Sequence, residues 1–113
     1  MKISFRRAVK SDASIILEWR NDPLTVAQSK NQNPVPLDDH LRWFARVLED
    51  ERVSLFVALN EEQDAVGSIR LDERGGEIWL SWMIAPSARG RGYGTAMLKG
   101  IFQMHGGVFN AEI

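Results

Sequence analysis

Runs of alternating apolar positions and runs with helical spacing follow one another along the chain. "KISFRRAV", residues 2–9, reads as a first strand with Ile3, Phe5 and Val9 on its apolar side. "SDASIILEWRN", residues 11–21, reads as a helix: Ile15, Ile16 and Trp19 share a face, and Ser11 or Asp12 is placed to cap the free amides. Pro23 stops it by biasing Asp22 away from helical geometry. Residues 24–36 hold two prolines and no clean period, so they read as an irregular loop of the kind that often carries binding. "LDDHLRWFARVLED", residues 37–50, is a second helix. Asp38 and Asp39 lie in its first turn, and Leu37, Leu41, Phe44 and Leu48 form an apolar stripe.

The next three runs read as strands. They are residues 53–59, 65–72 and 77–85, separated by the turn segments "NEEQD" and "ERGG" and ended by Pro86. From Gly92 to His105 the spacing becomes helical. Met97, Leu98, Ile101, Phe102 and His105 share one face, Lys99 and Gln103 point away, and Gly106 and Gly107 close the helix. Residues 108–113 read as a last strand. The order implies an α/β fold of the α+β kind with a mixed sheet: an antiparallel meander followed by a βαβ unit, whose strands should be parallel and whose crossover should be right-handed.

Composition narrows the picture. A chain of 113 residues with 44% hydrophobic and 26% charged positions suits a single globular domain over residues 1–113. Fourteen basic residues against fifteen acidic ones leave a net charge of −1, so no global field draws it to nucleic acid or an anionic membrane. Any anion site must be local. With no cysteine, disulfides and thiolate chemistry are excluded, and the two histidines, His40 and His105, have no metal-ligand spacing. No run approaches the roughly 20 apolar residues of a membrane span, and the start "MKISFRR" is not a signal peptide; a cytoplasmic address is the default expectation.

"RGRGYGT", residues 89–95, joins the long strand to the last helix. It reads as a hinge, a basic nucleic-acid patch, a plain helix start, or a phosphate cradle. Two arginines are few for nucleic acid, and an amphipathic helix starting in the glycines favours fixed structure. A cradle has a direct physical basis. The first amides of a helix have no internal acceptor, carry partial positive charge, and lie open where glycine removes Cβ. Neither the dinucleotide fingerprint nor the Walker A pattern fits, because Gly90, Gly92 and Gly94 give G-x-G-x-G and no Gly-Lys-Ser/Thr follows.

"MIAPSARGRGYGTAML" resembles the acetyl-CoA signature of the GNAT superfamily of N-acetyltransferases, R/Q-x-x-G-x-G/A, met here by Arg89, Gly92 and Gly94. The element order is also similar, over essentially the whole chain. The resemblance implies an acyl-CoA N-acyltransferase-like fold with acetyl-CoA as cofactor. Its pyrophosphate would sit on Arg89, Gly90, Arg91, Gly92, Tyr93, Gly94 and Thr95. Its pantetheine arm would pair with the backbone of Met83 and Ile84. A neutral primary amine would attack the thioester, with a carboxylate as base: Glu112 on the last strand, or Glu77 at the start of the long one.

The N-terminal half narrows the acceptor. "W-R-N" (Trp19, Arg20, Asn21) and "H-x-x-W" (His40, Trp43) resemble members that acetylate nucleotide-linked amino sugars, as in the pseudaminic acid pathway. There Arg20 would hold a diphosphate and a tryptophan would stack on base or sugar. Ribosomal-protein Nα-acetyltransferases, which take a peptide N-terminus, are the alternative, as is a truncated acetyl-CoA binder without turnover. The family usually continues with a helix, often carrying a proton-donating tyrosine, and two more strands. The chain is thus expected to be truncated after its fifth strand, with an exposed edge that favours a homodimer or larger homo-oligomer.

Overall fold

The computed structural model describes residues 2–28, 33–105 and 109–111. Strand β1 (Ser4–Arg7) leads through a 3-10 turn (Lys10–Asp12) into helix α1 (Ala13–Arg20). Helices α2 (Pro23–Gln28) and α3 (Leu37–Glu49) follow, then the meander β2 (Val53–Leu59), β3 (Ala65–Arg74) and β4 (Glu77–Ile84). A 3-10 turn (Pro86–Ala88), helix α4 (Tyr93–His105) and strand β5 (Phe109–Ala111) complete the order. The strands lie β1-β2-β3-β4-β5 in one sheet, antiparallel except for the parallel β4–β5 pair. The expected mixed sheet and parallel βαβ strands are therefore present. Gly106, Gly107 and Glu112 lie outside the described residues.

Strand alternation assigns the two faces. On one, Met97 of α4 lies against Gly67 and Gly100 of α4 lies against Phe5, so Ala58, Ile69, Leu71 and Leu80 back that helix. On the other, Ile16 of α1 and Trp43 of α3 share a hollow with Leu55, Ser68 and Arg70. Both layers join one core that includes Ile16, Trp19, Phe44, Val57, Ile69, Met97 and Ile101.

Four local expectations need correction. Residues 24–36 are not wholly irregular, because Pro23 opens α2 as well as ending α1. Asp22 caps α2: its carboxylate accepts the Leu24 and Thr25 amides at 3.2 and 3.3 Å, and Pro23 at the first position needs no acceptor. Asp12 does not cap α1. Its carboxylate turns back to the Val9 amide at 2.8 Å and takes both Arg6 guanidinium nitrogens at 2.8 and 2.9 Å, holding it below the usual carboxylate range, chiefly through the Arg6 bond.

The buried face of α3 is His40, Phe44 and Val47, whereas Leu37 and Leu41 are 56% and 45% exposed and Leu48 is also exposed. Histidine sits inside because both ring nitrogens are bonded there, and the inward rotation this requires turns the leucines out. In α4, Met97 and Ile101 are buried as expected, but Phe102 is exposed.

Candidate active site

The chain leaves β4 through Pro86–Ala88 and turns into α4 at two glycines with left-handed backbone, Gly90 (φ 75°) and Gly92 (φ 81°). Other residues adopt this conformation at a cost, and a Cβ at either position would have nothing within 4 Å. The turn thus exposes bare backbone. The first helical bond of α4 runs from the Ala96 amide to the Gly92 carbonyl at 3.2 Å. Among the described residues, the Tyr93, Gly94 and Thr95 amides have no protein acceptor. Three adjacent donors at the positive end of a thirteen-residue helix form an anion cradle. Arg91 and Thr95 are exposed beside it, and Tyr93 packs against the core.

Arg89 does not face this cradle as a free cation. Its Nη2 donates to Asp22 Oδ2 at 2.5 Å and Thr25 Oγ1 at 2.8 Å, 67 and 64 residues away in sequence. The Arg89 bond is the main reason the Asp22 carboxyl lies below its ordinary range. Arg89 therefore ties the turn to the start of α2 and fixes the glycines that follow.

Beside the turn, β4 runs past the described part of its parallel partner. β5 pairs only with Ile78, Trp79 and Leu80 among the described residues, while β4 runs on to Ile84. The Ala85 amide donates to the Val66 carbonyl at 2.8 Å, so the paired peptides of Ala85 and Met83 point toward β3. The Met83 carbonyl does lie close to Gly67. Alternation turns the N–H and C=O groups of Ile84 and Trp82 away from β3, toward the β5 side. Of the two residues expected to offer backbone groups, Ile84 thus turns its own away from β3 and Met83 turns its own toward β3.

On the opposite face of the sheet lies a hollow of about 160 Å³ lined by Ile16, Arg20, Trp43, Leu55, Ser68, Arg70, Ser81, Trp82 and Met83. Arg20 stacks on Trp43 with Cζ 4.3 Å from the ring centroid, and Arg70 approaches the same ring at 6.0 Å. Arg20 Nη1 donates to His40 Nδ1 at 3.0 Å. Guanidinium nitrogens only donate, so Nδ1 is the acceptor and Nε2 carries the hydrogen, donated to the Ala13 carbonyl at 2.7 Å. Burial pushes the His40 pKa down, the Ala13 bond opposes this, and Arg20 adds to it; the ring is neutral. Burial and then the Arg70 charge likewise hold the Arg20 pKa below the ordinary guanidinium value.

The five residues expected at the acceptor thus separate. Arg20 and Trp43 line the hollow, and His40, fully buried, supports Arg20 from behind. Trp19 is core. Asn21 spends its side-chain amide on both backbone groups of Val35, at 2.6 and 2.9 Å, pinning the segment before α3. Glu77 is exposed at the β3–β4 turn opposite Arg74, at the far end of β4 from the glycine turn. Glu112 lies outside the described residues. Sequence reasoning missed Arg70 and Ser81. Arg70 could be found only from the register that sets it opposite both Leu55 and Ser81.

A cleft of about 900 Å³ also borders the cradle, between α4 (Thr95, Lys99, Gln103) and the start of β1 with Asn60 and Gln63. Among the described residues, no group of His, Asp and Glu side chains suits a metal ion, and no helix is long and apolar enough to cross a membrane.

A glycine turn feeding unbonded helix amides, beside a strand that runs past the described part of its parallel neighbour, defines an acyl-CoA acyltransferase type of fold. The profile of the acetyltransferase (GNAT) domain matches residues 2–109, and the chain belongs to that family. No curated protein matches it. Among solved structures, an acetyltransferase from Thermus thermophilus superposes with TM-score 0.80 at 19% identity, covering 98% of this chain and 75% of that one. Spermidine N-acetyltransferase from Vibrio cholerae, in complex with CoA and spermine, gives TM-score 0.76 at 16% identity, with 90% and 62% covered. AAC(6')-Ib in complex with ribostamycin and coenzyme A gives 0.78 at 18% identity, with 92% and 66% covered. The chain thus spans between 62% and 75% of these three proteins.

Proposed function

We propose that the protein is an acetyl-CoA-dependent N-acetyltransferase that moves an acetyl group to a primary amine. The observation that carries this is the set of unbonded Tyr93, Gly94 and Thr95 amides behind the open Gly90–Gly92 turn. They match the doubly charged pyrophosphate of coenzyme A, while the outward peptides of Trp82 and Ile84 match the amides of its pantetheine arm by strand addition. Family membership and the coenzyme A bound in the spermidine N-acetyltransferase and AAC(6')-Ib structures support the same cofactor.

The hollow on the other face receives the acceptor. The amine attacks the thioester carbonyl after losing its proton, and an amide N–H at the β4 edge stabilises the oxyanion. Glu112 is the proposed base; Glu77 is less suited, because it sits at the wrong end of β4. For the acceptor, Arg20 on Trp43 supports the reading drawn from the sequence, an amino sugar carried on a nucleotide. A peptide N-terminus is the second reading, and the polyamine and aminoglycoside named for the similar structures are further candidates. Exposed Leu37, Leu41 and Phe102 support self-association, and a cytoplasmic address completes the proposal.

The test pairs acetyl-CoA calorimetry with thiol release over amino sugars, peptides and polyamines. Binding with turnover on any amine bears the transferase out. Binding without turnover leaves a cofactor-binding protein, and no binding refutes both.

A further inference from the structure

The acceptor hollow holds two arginines, of which the sequence motifs supply only Arg20. Arg20 enters it from α1 and Arg70 from β3, both guanidiniums lie against the Trp43 ring, and no carboxylate lines it among the described residues. Arg70 Nε is engaged by Asp72 Oδ2 at 2.9 Å, and Asp72 also receives Arg74 at 3.4 Å. Arg20 has no such neutralising partner: none of the ion pairs among the described residues includes it, and its one polar bond is to a neutral imidazole. That imidazole is fully buried, and its tautomer is set by the Ala13 carbonyl. The guanidinium is thus bonded to His40, lies over the Trp43 ring, and is left with donors unspent. Burying the Arg20 guanidinium without a carboxylate partner costs free energy, which an anion reaching Arg20 would recover.

We infer that the acceptor is an amine carrying an oxyanion, a phosphate or a carboxylate, which Arg20 and Arg70 bind, and that His40 is the residue that positions Arg20 for it. This rests on the acetyltransferase reading but narrows it, since it selects against polycationic amines. It also gives His40 a role without substrate contact. Neutral Nδ1 accepts one Arg20 nitrogen and thereby aims the others. A planar fork meeting an oxyanion explains why arginine stands here, since lysine offers a point charge without the planar pair of donors.

The experiment measures binding directly on the whole chain, by calorimetry with glucosamine, glucosamine 6-phosphate, the carboxylate-bearing amino sugar muramic acid, and spermidine. The expected result is at least about tenfold tighter binding of one or both anionic amines than of glucosamine, with spermidine weakest. The tighter of the two anionic amines distinguishes phosphate from carboxylate. Affinities within about twofold of one another, or spermidine tightest, overturn the inference.

Arg20→Lys and Arg70→Gln should each shrink the anionic-to-neutral ratio to about threefold or less. His40→Gln should shrink the same ratio. A merely structural loss would lower both affinities together and keep the ratio, which would remove His40 from the account. Acetyl-CoA is titrated into the same samples. If acetyl-CoA binds but the amines are not discriminated, this inference alone fails. If acetyl-CoA does not bind, the transferase reading fails, while the charge selectivity is still measured.

Discussion

Replacing Gly67 with alanine isolates the contact that shapes the β4 edge. Gly67 follows the irregularity in β3, where Ala58 pairs with Gly67 but Leu59 pairs with Ala65. A Cβ at residue 67 would lie 2.4 Å from the Met83 carbonyl oxygen, and 3.1 and 3.2 Å from Met97 Sδ and Cε. Carbon–oxygen contacts in sheets settle near about 3.3 Å or beyond, so the strands would have to part by roughly 0.9 Å. The methionine tip can rotate away. The carbonyl cannot, because the Ala85–Val66 hydrogen bond and the register on both sides hold it. Overpacking of this kind costs about 1–3 kcal/mol. At roughly 4 °C per kcal/mol for a domain of this size, Tm should fall by about 4–12 °C. Acetyl-CoA affinity should fall as well, since Met83 lies between the two outward-facing peptides. Thermal melts of Gly67→Ala, alone and with Met97→Ala, make the assay. A Tm within about 1 °C of wild type, or a penalty that vanishes once Met97 is truncated, would refute the reasoning.

Other consequences are independent of that contact. Unfolded histidine titrates near about pH 6.5, and folded His40 lies lower, so above that pH its contribution is complete. As pH drops below it, the unfolded chain takes up a proton that the folded chain refuses, and stability is lost until the folded pKa is reached. Urea midpoints should fall more steeply on acidification for wild type than for His40→Gln. On α3, Phe44→Ala should cost about 3–5 kcal/mol and Leu41→Lys less than about 0.5 kcal/mol; the reverse ranking would put the leucine stripe back in the core. Arg89→Ala and Asp22→Asn should each lower acetyl-CoA affinity by roughly tenfold, and the double variant no further, because both break one tie. Additive losses would separate Arg89 from Asp22.

Much of the sheet is legible in the residues, and much of the helical layer is not. β2, β3 and β4 read well because β-branched and aromatic types fall between clear turn segments, and their pairing needs only hairpins. α3 reads correctly in extent but not in rotation. Counting apolar side chains points Leu37, Leu41 and Leu48 inward, while the buried face includes His40, held by Ala13 and Arg20, which are 27 and 20 residues away. No local signal carries those bonds. α2 was within reach, because an aspartate followed by proline is a cap and a first helical residue as much as a stop. Within the site, the glycine turn was readable from its own chemistry. The partner of Arg89 was not, because only the fold brings Asp22 to it, and Arg70 joins Arg20 only through the strand register.

The central claim is that the first amides of α4 hold the coenzyme A pyrophosphate, and amide-resolved NMR tests it most directly. Adding coenzyme A to the 15N-labelled protein should shift the Tyr93, Gly94 and Thr95 resonances more than those of the β2–β3 turn. Gly92→Glu, which sets a carboxylate in the open space, should abolish both the shifts and the binding. Coenzyme A that binds while those three amides stay unmoved, or that binds the Gly92→Glu variant as well as wild type, would contradict the account.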